Sequence, residues 1–99
     1  MTMSDINPGA MTAQQTIEDR EDSHGDYTAQ ATLSQQLKSL LHDSAGWSRL
    51  TAPQKETLDM LAVKMSRVLN GDPNVADHWT DMAGYATLVS NLLTKGHHL

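Results

Sequence analysis

The chain has 99 residues and no cysteine, so neither a disulfide nor a thiolate metal site can hold its fold together. Twelve Asp and Glu against seven Lys and Arg give a formal net charge of −5, and the basic residues are scattered from Arg20 to Lys95, which argues against the clustered basic face that non-specific nucleic-acid binding needs. No stretch approaches the roughly 20 apolar residues of a membrane span, and residues 1–20 hold no apolar run flanked by basic charge, so a cytoplasmic protein is expected.

Residues 1–11, with Asn7-Pro8-Gly9 and no periodic apolar pattern, read as a flexible tail ahead of a single helical domain over residues 12–95, with 96–99 as a short C-terminal tail. From Thr12 to Asp22 the chain has good helix formers but only Ile17 as a sizeable apolar residue, which predicts a short, mostly solvated helix. Gly25 then supplies the backbone freedom for a break. Leu33, Leu37, Leu40 and Leu41 recur at helical spacing, so a helix with one apolar face should run from about Thr28 to about Asp43, with Trp47 and Leu50 in the connection as a lid on that face.

Thr51, followed three residues later by Gln54 and with Pro53 in the first turn, is a capping-box start for the next helix. Its apolar face holds Leu58, Leu61, Ala62, Met65, Val68 and Leu69, and Gly71 after Asn70 suggests a left-handed glycine cap. Asp72-Pro73-Asn74 makes a turn, and the last helix should run from about Val75 to Thr94, with Val75, Trp79, Met82, Ala86, Val89 and Leu93 as its packing seam. A second stripe, Leu88 and Leu92 below Tyr85, exceeds what a partner helix of one small chain covers unless the short N-terminal helix lies on it, and Gly84, at about 1 kcal/mol against alanine, is expected to admit a close helix neighbour or else a ligand. The expected fold is all-α, a small bundle of two long antiparallel helices plus a preceding helix, completed by homo-oligomerisation.

Two carboxylate pairs stand out. Glu56 and Asp59 share a face opposite the Leu58/Leu61/Met65 stripe, and Asp77 and Asp81 lie one turn apart with Tyr85 continuing their line. Two such pairs aimed into one space would be the hard oxygen donors that Mg²⁺ or Mn²⁺ prefers. The plainer alternative is a solvated helix face, with Asp77 merely suited to the helix start. His24, His42, His78, His97 and His98 show no zinc-ligand spacing, and the chain has neither a phosphate-binding glycine loop nor a nucleophile elbow.

Over roughly Ser23 to Leu93, the segments His24-Gly25-Asp26-Tyr27, LDMLAVKMSRVLNGDP and DHWTDMAGYATLV resemble small phage and prophage proteins of unknown function. These in turn are similar to the all-α nucleotide pyrophosphohydrolases of the MazG type, whose E-x-x-E and E-x-x-D motifs hold Mg²⁺. The resemblance places Glu56-x-x-Asp59 on the first motif and His78-x-x-Asp81 on the second, where His78 replaces the glutamate and Asp77 is one residue out of phase. It therefore implies Glu56, Asp59 and Asp81 as catalytic carboxylates, a metal set of Glu56, Asp59, Asp77 and Asp81, and a missing ligand drawn from Asp77, Asp26 or another subunit.

On the substrate side the same resemblance implies His24, Asp26, Lys64, Arg67 and Tyr85, with Lys64 or Arg67 on phosphate and Tyr85 stacked on a base. Lys64 and Arg67 could equally sit on the wet side of their helix and pair with acids. The expected function is a nucleotide-binding protein, with divalent-metal-dependent pyrophosphohydrolase activity as its enzymatic form. The alternative is a non-enzymatic phage accessory protein that inhibits a host defence protein or sequesters a nucleotide signal.

Overall fold

The computed structural model of the chain describes residues 13–15, 17 and 26–96, so the expectations for the two tails, for most of the acidic segment and for His24 fall outside the described residues. Residues 13–15 and 17 are helical and exposed. Helix α1, Tyr27–His42, starts where Asp26 in extended conformation accepts a hydrogen bond from the Ala29 backbone N–H at 2.9 Å, an N-cap that satisfies one of the free first-turn donors. A 3₁₀ turn, Trp47–Arg49, follows it.

Helix α2, Ala52–Asn70, begins with both halves of the expected capping box: Thr51 Oγ1 accepts from the Gln54 N–H at 3.3 Å and Gln54 Oε1 from the Thr51 N–H at 2.8 Å. Its end differs from expectation. Gly71 has φ −125° and ψ −142°, outside the left-handed region, because the reversal is made further on: Asp72 Oδ1 accepts from the Asn74 N–H at 2.9 Å, and Pro73 cannot extend a helix. The left-handed glycine is Gly96, φ 77°, just after helix α3, Ala76–Thr94.

Helix α2 is the central element, packed against α1 on one flank and α3 on another. The interhelical ties are polar. His42 Nε2, at the end of α1, lies 2.7 Å from Asp59 Oδ1, and Lys64 Nζ donates to Asp81 Oδ2 at 2.6 Å; since the start of α2 at Glu56 and the end of α3 at Lys95 also border one hollow, α3 runs antiparallel to α2.

The expected apolar stripes are only half-covered. Among the described residues Ala62 is the one fully buried hydrophobic side chain, and the remaining buried positions are Gln30, Ser34, Lys64, Ser66 and His78. On α1, Leu33, Leu37 and Leu41 are half-buried while Leu40 is exposed, and on α2 Met65 and Leu69 are exposed. Trp79, expected on the packing seam, points outward and donates its indole N–H to the Pro73 carbonyl at 2.8 Å, which ties the first turn of α3 to the preceding connection. The physical reason is geometric: neighbours on two flanks of one helix leave its remaining sides without an element to cover them.

Because the Thr51 hydroxyl is half of the cap on the central helix, Thr51→Ala should lower unfolding stability by about 1 kcal/mol in urea titration, with helix content in the native baseline unchanged.

Candidate functional site

Lys64 follows Leu61 by three residues and precedes Val68 by four, which places it on the flank of those apolar residues and not on the wet side of α2. It is 8% exposed, a degree of burial that a lysine reaches only when its charge is paired. Asp81, one turn beyond the buried His78 on α3, supplies the pair and keeps its outer side open to solvent. The Lys64 hydrogen bond, followed by its charge, holds the Asp81 carboxyl below the ordinary value of 3.8; desolvation opposes this, and His78 and Arg67 add smaller lowering effects. Arg67 stands one turn after Lys64 with its Nε buried and without a hydrogen-bond partner. Lys64 and Arg67 thus both stand close to Asp81 at the seam between α2 and α3.

Beside this seam α3 borders two open hollows. One, of about 490 Å³, is lined by Thr80, Asp81, Gly84, Tyr85 and Leu88. The other, of about 480 Å³, continues past Tyr85 and Leu88 to Leu92 and Lys95 and takes Glu56 and Thr57 from α2. Among the described residues Gly84 has no close neighbour: a Cβ there would meet nothing within 4 Å, so the expected helix contact at this glycine is not made by α1 or α2.

The predicted metal residues separate. Asp59 faces α1, where His42 pairs with it and stacks in turn on Trp47 with ring centroids 4.4 Å apart. Asp81 faces the other flank of α2 and is held by Lys64. Glu56 is exposed beside Tyr85 in the second hollow, Asp77 is exposed in the first turn of α3, and Asp26 caps α1. Among the described residues no three His, Asp or Glu side chains come close enough to share an ion. Of the predicted substrate residues, the structure brings Lys64 and Arg67 to the Asp81 seam and Tyr85 to the adjoining groove.

Two roles were not foreseen. Burial of Lys64 was readable from its spacing to Leu61 and Val68, whereas the pairing of His42 with Asp59, 17 positions apart, carries no local signal.

A carboxyl whose folded value is depressed adds stability above its unfolded value and loses it as pH falls through the folded one. Asp81→Asn should therefore melt below the wild type at neutral pH, and the gap should close on acidification to below 3.8. A gap in melting temperature that stays constant over that range would show that the charge of Asp81 is not what holds the seam.

No curated protein and no solved structure matches the chain. A family model described as a domain of unknown function, DUF6378, matches residues 10–93, and the chain belongs to that family.

Proposed function

We propose that the chain is a MazG-like nucleotide-binding protein that acts as an oligomer, in which Lys64 and Arg67 draw a phosphate to the α2–α3 seam and Tyr85 takes the base in the adjoining groove. The observation that carries this reading is the buried Arg67 Nε, without a hydrogen-bond partner, next to the Lys64–Asp81 pair and an open groove. Cationic donors spare from internal pairing are what a phosphate oxygen needs.

The Mg²⁺ or Mn²⁺ that the family resemblance implies does not fit the same residues within one chain. Asp59 and Asp81 are engaged by His42 and Lys64 on different flanks of α2, so no hydrolytic step is built on them. A second reading, a non-enzymatic protein that captures a host protein, draws on Leu40 and Leu69, which are 70% and 71% exposed.

Calorimetric titration of nucleoside triphosphates, with and without Mg²⁺ and with pyrophosphate release followed in parallel, separates these. Nucleotide should bind saturably, and Arg67→Gln and Lys64→Ala should each weaken it roughly tenfold or more, the scale of one lost hydrogen bond to a charged group. Asp59→Asn should leave binding intact while lowering the melting temperature. Loss of metal-dependent binding in Asp59→Asn would instead show that the carboxylates gather around an ion, and absence of binding to any triphosphate would end the nucleotide reading in favour of the second.

A further inference from the structure

Helix α3 carries a polarised stripe that the other described residues of its chain leave largely open. At 100° per residue, Asp77, Asp81, Gly84, Leu88, Leu92 and Lys95 fall within about 80° of arc, a quarter turn away from the α2-facing side marked by His78 and Val89. The acids stand at the start of the stripe and Lys95 at its end, and Leu88 between them is 61% exposed. Both open hollows border this stripe.

We propose that the occupant is a second copy, its α3 laid antiparallel along this stripe with the two helices crossing at Leu88. Asp81 and Lys95 lie equally far from Leu88, seven positions to either side. Antiparallel crossing at that residue therefore sets Lys95 of each copy against Asp81 of the other, whereas a parallel copy would set acids on acids. The same register lays Leu92 of one copy over Gly84 of the other, where the absent side chain leaves clear space. It thus accounts for a mid-helix glycine that no contact among the described residues requires. With only Ala62 fully buried among the described hydrophobic residues, a self-complementary apolar contact also supplies burial that the single chain lacks. The second copy would bring its Lys95 to the seam that holds Lys64 and Arg67, so the site is complete only in the dimer.

The inference rests on the oligomer part of the reading above, and it is tested without nucleotide. The natural chain has no cysteine, so single cysteines report cleanly. Under mild oxidation Leu88→Cys should cross-link to a covalent dimer, while Lys95→Cys and Trp79→Cys should not. In sedimentation velocity the wild type should run as a dimer, and Leu88→Asp as a monomer with its helical circular dichroism retained. A wild-type chain that stays monomeric at all concentrations would overturn both this pairing and the oligomer reading. An oligomer that neither cross-links through Leu88→Cys nor responds to Leu88→Asp would overturn this face alone, and self-linking of Lys95→Cys would overturn the antiparallel register. Failure of nucleotide titration with the Leu88→Cys link intact would remove only the nucleotide reading.

Discussion

The pair between Lys64 and Asp81 sets the relation of α2 to α3, and with it everything on the site side of the molecule. Taking an ammonium group out of water is costly, and the cost is offset only while a carboxylate stays in contact with it. A slip of α3 along α2 by one turn that put Tyr85 in the place of Asp81 would leave Lys64 buried without its counter-charge, so the pair disfavours that register, whereas the opposite slip would offer Asp77 instead. The observed register brings Tyr85 level with Thr57 and Glu56 and opens the hollows along α3.

The other flank of α2 repeats the device in a weaker form. His42 is about half-exposed where it meets Asp59, and its ring is steadied by Trp47 from the 3₁₀ turn. Helix α2 is therefore held by polar ties on both sides, with small or polar residues at its buried positions and the larger aliphatic chains at the margins. Such an arrangement specifies geometry more strongly than it supplies hydrophobic stabilisation, since buried area and not ion pairing is the main favourable contribution to folding. Apolar surface left at the margins is then available to a further element, and on α3 it includes Trp79, Leu88 and Leu93.

The acidic residues show how one residue type divides among unrelated tasks. Asp26 caps α1, Asp72 closes the turn before α3, Asp59 ties α1 to α2, and Asp81 neutralises a buried lysine. Of the four carboxylates expected around a metal, Glu56 and Asp77 remain exposed without an ion pair among the described residues. A helix presents E-x-x-D residues on one face whatever their purpose, and the purpose follows from what faces them.

Local chemistry accounts for what could be read along the chain. The Thr51–Gln54 cap, the proline after it and the periodic leucines concern residues within one or two helical turns, so the helical class, the start of α2 and the extents of α1 and α3 to within a residue or so were legible. The burial of Lys64 left a signal in its place between Leu61 and Val68, but the expectation for it was phosphate or the wet side of the helix. The outward turn of Trp79, the partners of Asp59 and Asp81 and the empty space at Gly84 were not legible, because each depends on residues distant in sequence and on which flanks of a helix find a neighbour. Periodicity assigns a residue to a face of its helix; the packing of α1 and α3 on the central α2 assigns that face to a core, to an ion pair or to the solvent.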